Sequence, residues 1–293
     1  MLEFDCYKLY FHSPLHIGKK GIGEESVDTT IRSDTLFSAI IWAYSVMEEE
    51  RISQIIENAV SGKPDFLISS TFPFDGEALY FPVPANIRLK RGGLIKKEDF
   101  ERVIKGEKEV EDAEVKSYDE FYKISEVSKN VQSRITGRTD IYSVGETRFK
   151  PNSGLYFLAK GDDLTKVLKY LGEVGIGGYR SVGKGRFDLK KEEISFNSGN
   201  KHDFFVTLSL FLPKKNEIEL LKHHKSRYFL EHRTGWTNIP GMNPVKISLR
   251  MIQEGSVLPK KNAEEIYGCM WKSGMVFRYG YAFDVPMVIK DEV

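Results

Sequence analysis

The segment from Gly175 to Phe187, here called the glycine loop, combines glycine with positive charge. Its sequence, GIGGYRSVGKGRF, holds five glycines and three basic residues in thirteen positions. Glycine tolerates positive φ and lacks the Cβ that would keep a backbone away from a ligand, so successive amides can approach a phosphate. The side chains of Arg180, Lys184 and Arg186 would neutralise that phosphate. The composition therefore indicates a loop that lies against the backbone of a bound nucleic acid.

Two nucleotide-binding motifs come close to this segment, and neither fits. The range 178–184 has P-loop spacing, but Gly185 stands where a serine or threonine must reach magnesium, and a strand is expected to follow in place of the required helix. The dinucleotide-binding pattern fails because Arg180 occupies its third glycine position and the segment follows a predicted helix. A purely structural alternative stays open, in which Gly172 or Gly175 ends that helix and the remainder forms a bulge.

A second basic segment runs from Ser133 to Phe149. It interleaves arginines and hydroxyl residues with aromatic residues, which suits phosphate contact together with base stacking. A solvated hairpin explains the same composition equally well. Both interpretations stay open at this point.

The histidines raise the question of catalysis. His12 and His16 flank a proline turn, and three more lie among basic residues between Lys222 and Arg233. Histidine can serve as general acid and base in RNA cleavage without a metal. However, the sequence has no H-E-x-x-H, no paired aspartate ligands and no nucleophile elbow. We therefore predict that the chain is not an enzyme, with no cofactor and no metal site.

The overall composition limits what the chain can bind and where it acts. Lysine and arginine number 43 and acidic residues 42, so a nucleic-acid site must come from local clustering of basic residues. Cys6 and Cys269 have no nearby Cys or His at ligand spacing, which argues against a zinc site and a disulfide framework. No apolar run reaches 18 residues, and the first residues are acidic where a signal peptide is basic, so we expect a cytoplasmic protein that does not contact the membrane.

The hydrophobic pattern predicts an α+β framework around these segments. Alternation from Phe4 to Phe11 indicates a first strand, and apolar residues at helical spacing after Ser33, the expected N-cap, indicate a helix. Further strands are expected at 66–72 and 78–83, followed by a strand or extended arm, a helix, the glycine loop and a last strand. With the charged stretch at about 86–150 set aside as an insertion, this order approximates a ferredoxin-like unit.

We expect two domains from the length of 293 residues and a short polar linker that begins at Asn197. The first, 1–196, would carry the insertion and the glycine loop. The second, 197–293, has strand-like segments and one short helical candidate, so it could be a degenerate second copy of the first.

Several further stretches carry a resemblance to a known family. They are FHSPLHIG at 11–18, IRSDTLFSAI at 31–40, YFPVP at 80–84 and VFRYGYAF at 276–283. With the glycine loop and the segment 134–149, they resemble the RAMP proteins of CRISPR-Cas systems, specifically subunit four of the type III-A Csm effector complex. The similarity covers nearly the whole chain.

The resemblance implies a fold and a function. The fold would be two ferredoxin-like, RRM-related domains. The function would be that of a non-catalytic subunit in antiviral defence that binds and caps the 5′ repeat-derived tag of CRISPR RNA. Such a subunit would bridge the large polymerase-like signalling subunit and the adjacent RAMP backbone subunit, and target cleavage in the family belongs to that backbone subunit.

The resemblance also implies RNA-binding residues. Tag phosphates are expected at the side chains and amides of the glycine loop, a projecting thumb is expected over the RNA, and part of the N-terminal motif is expected on the same face. In that order the residues are Arg180, Lys184, Arg186, Gly177, Gly178, Gly183 and Gly185; Arg134 and Arg138; and His16, Arg32 and Ser33.

Three points remain open in this interpretation. The second domain lacks a comparably clear glycine loop, so we expect it to serve mainly as a protein contact surface. One alternative function is a metal-independent endoribonuclease that processes CRISPR precursor RNA through His16. Another is an adaptor that contacts only protein.

Overall fold

The computed structural model describes residues 2–19, 25–85, 93–197, 203–234, 248–261, 266–274 and 276–289. The chain is a mixed α+β protein built on antiparallel sheets. Its helices are α1 (Ser33–Met47), α2 (Glu49–Val60), α3 (Lys97–Ile104), α4 (Thr165–Val174) and α5 (Ile218–Leu221). Its strands are β1 (Leu2–Phe11), β2 (Ile17–Gly18), β3 (Val27–Asp28), β4 (Phe66–Ile68), β5 (Phe72–Asp75), β6 (Ala78–Pro82), β7 (Leu94–Lys96), β8 (Tyr122–Gln132), β9 (Thr139–Phe149), β10 (Ser153–Gly161), β11 (Phe187–Phe196), β12 (Phe204–Thr207), β13 (Leu230–Arg233), β14 (Leu249–Ile252), β15 (Val257–Pro259), β16 (Trp271–Ser273), β17 (Val276–Arg278) and β18 (Asp284–Met287).

The largest sheet runs in the order β11, β1, β10, β5, β6, β7, with β4 also paired to β10. Strand β1 lies between β10 and β11 and is antiparallel to both. Along the chain, α1 follows β1 and α4 follows β10. The sequence correctly predicted this alternation, because each helix carries an apolar face at helical spacing and each strand a run of β-favouring residues.

Both faces of β1 are buried. Tyr7 and Leu9 pack with α1 and α4 on one face of the sheet, whereas Phe4 and Cys6 pack with α3 and strands β12 and β18 on the other. A strand covered on both faces carries large apolar residues at odd and even positions alike. The sheet therefore forms the middle layer, with α1 and α4 on one face and α3, β12 and β18 on the other.

The C-terminal part packs closely against the first half. Its three-stranded sheet runs β15, β12, β18. Tyr279 stacks on Phe37 of α1 at 4.7 Å between ring centroids, and its hydroxyl accepts a hydrogen bond from the Ile68 amide at 3.1 Å. Within the described part after residue 197, one four-residue α-helix is present. The proposed second copy and the boundary at 196 stay predictions, and 198–200 of the expected linker lie outside the described residues.

Two local predictions need correction. Ser33 was expected to be the N-cap of α1, but Arg32 has the extended N-cap conformation and Ser33 is the first helical residue. The strand expected at 66–72 is divided into β4 and β5, because the Ser70 and Thr71 amides donate to the carbonyls of Leu208 and Ile31, outside the main sheet. The range 86–150, of which 93–150 is described, contains a strand, a helix and a long hairpin.

Candidate nucleic-acid interface

The glycine loop connects the end of α4 to the start of β11, as the sequence predicted. Gly175 ends the helix, and its amide donates to the Leu171 carbonyl at 2.7 Å. The structural alternative is therefore confirmed for this residue. Gly185 has φ of +72°, and a Cβ there would lie 1.9 Å from the Ile176 carbonyl oxygen. Only glycine fits such an approach, so the loop has a defined conformation.

The glycine loop packs directly on the N-terminal segment. The Gly178 amide donates to the His16 carbonyl at 2.8 Å, and the Gly185 amide donates to the Pro14 carbonyl at 2.9 Å. The Arg186 amide donates to the Ser13 hydroxyl, also at 2.8 Å. Two segments that are about 170 residues apart in the sequence thus form one surface.

These contacts correct the expected role of the loop amides. The sequence predicted that they converge on a phosphate, but the amides of Gly178 and Gly185 donate to the N-terminal segment, and that of Gly183 donates to the Arg180 carbonyl at 2.9 Å. An N–H that already has a good acceptor gains little from a second one. A phosphate contact of these glycines, which stays a prediction, would come from close backbone approach and not from these hydrogen bonds.

The basic residues of the loop have very different surroundings. Arg180 is half-buried, with its guanidinium carbon 4.0 Å from the centre of the Trp42 ring, and Trp42 in turn stacks on Tyr170 at 6.2 Å. Arg186 is exposed. Lys184 is buried and its ammonium pairs with the carboxylate of Glu146. The charge of Lys184 is thus neutralised within the protein, and a phosphate contact of Lys184 stays a prediction.

The second basic segment supplies the tip and the second strand, β9, of a long hairpin whose first strand is β8. Arg134 and Arg138 lie at its exposed tip, where the Gly137 amide donates to the Ser133 carbonyl at 2.9 Å, and Ile135 between them is 96% exposed. The hairpin interpretation is confirmed. The thumb role stays a prediction.

The β8–β9 hairpin contacts the glycine loop at Tyr179. The Lys129 ammonium of β8 lies 3.9 Å from the centre of the Tyr179 ring, a cation–π contact. Tyr179 has φ of +59°, which is uncommon for a residue with a side chain. The glycine loop and the hairpin thus carry the basic residues Arg180, Arg186 and Lys129, although the net charge of the whole chain is only +1.

His16 is buried beside this face. It is 7% exposed, and its ring contacts Tyr179 edge-on at 5.1 Å. Its Nδ1 lies 2.8 Å from the Gly145 carbonyl, so Nδ1 carries the hydrogen and donates it. A buried ring fixed in this way is poorly placed to exchange protons with an RNA, so the structure does not favour the endoribonuclease alternative.

Arg32 and Ser33 lie at the junction with the C-terminal part. The Arg32 guanidinium pairs with the carboxylate of Glu254, which is 7% exposed. Ser33 is 0% exposed, its amide donates to the Ser70 hydroxyl at 2.8 Å, and its hydroxyl accepts from the Leu210 amide at 3.0 Å. Ser33 is thus buried and fully bonded in this structure, and its role in RNA binding stays a prediction.

Sequence reasoning missed several residues that shape this interface. Trp42 carries a helical apolar signal, and its contact with Arg180 has no sequence signature. Lys129, Glu146 and Glu254 look like ordinary charged residues until the fold brings their partners to them. Within the described ranges, no group of three or more His, Cys, Asp or Glu could hold a metal. No helix in that part of the chain is long and apolar enough to cross a membrane.

Comparison with known proteins finds relatives of one kind. The family model described as the CRISPR Csm4 C-terminal domain matches residues 200–287. A relative named "CRISPR system Cms protein Csm4", from Thermococcus onnurineus (strain NA1), is 27% identical over 250 residues, covering 78% of this chain and 81% of the relative. Residues 200–287 thus match the Csm4 C-terminal domain family, and the chain is similar to Csm4 proteins over most of its length.

Solved structures share the fold of this chain. A chain in a crystal structure of a Csm3-Csm4 subcomplex in the type III-A CRISPR-Cas interference complex aligns with a TM-score of 0.65 at 16% identity, over 98% of this chain and 100% of that one. A chain in a crystal structure of a Csm1-Csm4 cassette in complex with cA4 aligns with a TM-score of 0.62 at 20% identity, over 99% and 100%. At these identities the likeness concerns the fold.

Proposed function

We propose that this chain is a non-catalytic, cytoplasmic subunit of a type III-A CRISPR effector complex that binds and caps the 5′ repeat-derived tag of CRISPR RNA in antiviral defence. The observation that carries the proposal is the surface where the glycine loop, the N-terminal segment and the β8–β9 hairpin meet. Three basic residues lie on these elements, with Arg180 on the Trp42 ring, Lys129 on the Tyr179 ring and Arg186 exposed. The match of 200–287 to the Csm4 C-terminal domain and the similarity to Csm4 proteins support the choice of ligand.

The proposed RNA contacts follow the geometry of this surface. Arg180 and Arg186 bind tag phosphates, and Arg134 and Arg138 contact RNA from the hairpin tip. Gly183, where a Cβ would meet nothing within 4 Å, leaves the RNA room to approach the backbone, whereas Gly177, Gly178 and Gly185 let the loop pack on His16 and Ile176 and so hold its conformation. His16 and Lys184 support the loop from beneath, because each is buried and bonded to β9. Phosphate contacts of this kind are independent of sequence, so they position the RNA and leave base recognition to other residues.

We further propose that 1–196 is a ferredoxin-like domain and that 197–293 is a degenerate relative of it. In the first part, four strands lie side by side in the order β11, β1, β10, β5. Numbered along the chain as first (β1), second (β5), third (β10) and fourth (β11), they have the spatial order 4-1-3-2, with α1 and α4 as the two crossover helices. That is the order of the ferredoxin-like fold. In this proposal the range 86–150 is an insertion that supplies the hairpin.

The protein partners in this proposal are the large polymerase-like signalling subunit and the adjacent RAMP backbone subunit, which the chain bridges. Structures of similar chains are described as a Csm1-Csm4 cassette and as a Csm3-Csm4 subcomplex. Those pairings support two separate protein contacts for this chain.

Crosslinking on the assembled complex tests the proposal. RNA carrying a photoreactive nucleotide at each tag position in turn is assembled with all subunits, and crosslinked peptides are sequenced. We expect tag positions to crosslink within 175–187 and the guide beyond the tag to crosslink near 134–138. The proposal is falsified if crosslinks to this subunit avoid the glycine loop.

The endoribonuclease alternative predicts a different result. Purified protein incubated with repeat RNA without metal should leave the RNA intact. Cleavage that disappears in the His16→Ala variant would replace the proposal with the alternative.

A further inference from the structure

One residue of the glycine loop has a left-handed backbone although it is not a glycine. Four of the loop glycines have positive φ, and so does Tyr179, at +59°. Glycine adopts this conformation without strain, whereas a residue with a Cβ keeps it only where its surroundings hold it in place. The exception therefore points to a role for the side chain of Tyr179.

The Tyr179 ring lies among three side chains that connect it to both strands of the hairpin. The Lys129 ammonium of β8 lies 3.9 Å from the ring centre. The ring of His16, whose Nδ1 donates to a β9 carbonyl, meets the Tyr179 ring edge-on at 5.1 Å. The Lys184 ammonium lies 5.2 Å from the ring centre and pairs with Glu146 of β9. Tyr179 thus connects the glycine loop to β8 directly and to β9 through two neighbours.

The contact with Lys129 lies about halfway along the hairpin. At the base of the hairpin, Thr147 and Leu15 exchange backbone hydrogen bonds at 2.8 and 2.9 Å. Thr147 pairs with Ile124, so Lys129 lies five residues farther out, and Arg134 at the tip lies another five residues beyond it. At about 3.3 Å per residue, the tip is roughly 30 Å from the base. Two strands alone are marginally stable in water, so a contact halfway along is needed to hold the tip in one place.

We propose that Tyr179 is a positioning residue that fixes the angle between the β8–β9 hairpin and the glycine loop. Through this ring, Arg134 and Arg138 at the tip are held at one separation from Arg180, so that loop and tip bind a single RNA strand as one preformed site. Without the ring, the tip keeps its charges but binds as a loosely linked group. This inference rests on the proposed RNA-binding function.

The ring can be removed without forcing the loop into a new conformation. Tyr179→Gly deletes the ring and introduces the residue type that best tolerates a left-handed backbone. Tyr179→Phe keeps the ring and its contact with the Lys129 ammonium. Asn152→Gly is the matched control, because Asn152 is exposed and also has φ of +59°, in the turn before β10.

A double-mutant cycle on the assembled complex measures the coupling between Tyr179 and the hairpin tip. Affinity for tagged CRISPR RNA is measured by fluorescence anisotropy with and without the tip substitutions Arg134→Ala and Arg138→Ala. These substitutions should weaken binding by about tenfold in the wild type, in Tyr179→Phe and in Asn152→Gly. In Tyr179→Gly they should weaken it by about threefold or less, because the tip is no longer held in place. A residue that only stabilised the loop would leave the effect of the tip substitutions unchanged.

Hydrogen exchange gives a second readout, which does not depend on RNA. In Tyr179→Gly, the backbone amides of 126–131 and 140–144 should exchange about three- to tenfold faster than in the wild type. The amides of β1 and β10 should keep their rates, because the main sheet does not depend on this contact. Tyr179→Phe should exchange like the wild type throughout.

The outcomes separate this inference from the proposed function. Equal tip effects in the wild type and Tyr179→Gly, or hairpin amides that keep their wild-type rates in that variant, overturn the inference. So does a wild type in which the tip substitutions have no effect. The proposed function survives each of these results if Arg180→Glu with Arg186→Glu still weakens RNA binding. If this loop variant binds RNA like the wild type, both the function and the inference fail.

Discussion

The basic residues of the glycine loop have different roles because their partners differ. The charge of Lys184 is neutralised by the carboxylate of Glu146 inside the protein. Arg180 lies on the Trp42 ring, a partner that attracts the cation and does not neutralise it. A phosphate gains most from a cation whose charge is still available, so Arg180 is the stronger candidate for RNA contact. Trp42 then acts as a positioning residue that limits the rotamers of Arg180.

Replacing Trp42 and Arg180 separately should distinguish positioning from contact. Trp42→Ala should weaken RNA binding by about two- to fivefold, the equivalent of an exposed cation–π contact of about 0.5–1 kcal/mol. It should leave the salt dependence unchanged, since every phosphate contact remains. Arg180→Ala should also reduce the slope of log K against log salt by about 0.7, because one fewer counterion is released from single-stranded RNA. Anisotropy titrations from 50 to 300 mM salt measure both; a reduced slope in Trp42→Ala contradicts this assignment.

At the scale of elements, the interface depends on the contact between the glycine loop and the segment from Ser13 to Ile17. The loop can lie so close only where a side chain is absent. Gly185 and Gly183 both have positive φ, but a Cβ at Gly185 would overlap the Ile176 carbonyl, whereas a Cβ at Gly183 meets nothing within 4 Å. Substitutions at Gly183 and Gly185 therefore distinguish the effect of steric overlap from that of backbone strain.

The alanine variants at these two positions should differ in stability. Gly183→Ala should lower the free energy of unfolding by about 1–2 kcal/mol, the cost of a left-handed conformation in a residue with a side chain. Gly185→Ala should lower it by at least about 1 kcal/mol more, because the loop must also move away from Ile176. Urea unfolding of both variants measures the difference. Equal losses would show that the packing at Gly185 is less tight than described.

Much of this framework could be predicted from the sequence. Apolar periodicity located β1, α1, α4 and β11, because helix and strand impose different spacings on buried residues. The glycine loop was recognisable because its composition has few other uses. The pairs that define the site were not predictable, since Arg32 and Glu254 are 222 residues apart and Lys184 and Glu146 are 38 apart. No regular spacing in the sequence indicates either ion pair, and only the fold brings the opposite charges together.

For the whole molecule, a buried charge cluster connects the two parts of the chain. Asp34 of α1 accepts hydrogen bonds from Arg233 at 2.9 and 3.1 Å and from Arg278 at 2.6 Å. Burial by itself would raise the pKa of Asp34, but the two guanidinium groups hold it below its ordinary value. Since the α1 side contributes the acid and the C-terminal part both bases, docking of the two parts depends on this carboxylate being ionised.

The sign of that pKa shift predicts how acid destabilises the protein. A carboxyl with a lowered pKa in the folded state stabilises the fold above its unfolded pKa of about 3.9, and this contribution is lost as pH falls through the folded pKa. Asp34→Asn should cost about 3–5 kcal/mol at pH 7, because two arginines are left without their partner.

The same variant should lose less additional stability between pH 5 and pH 3 than the wild type. Chemical unfolding at both pH values measures this, with the exposed Glu219→Gln as the control. An acid loss in Asp34→Asn as large as that of the wild type would contradict a role for this carboxylate at the junction.

The most direct test of the central claim is the affinity of the assembled complex for tagged CRISPR RNA when the glycine loop loses its free cations. Arg180→Glu with Arg186→Glu reverses two charges on the loop face and leaves the buried Lys184–Glu146 pair in place. Lys222→Glu with Lys225→Glu makes the same change of charge in the C-terminal part and serves as the control. We predict at least a tenfold loss of affinity at 150 mM salt and a shallower salt dependence for the loop variant alone. Affinity equal to that of the wild type would contradict the placement of the RNA on this loop.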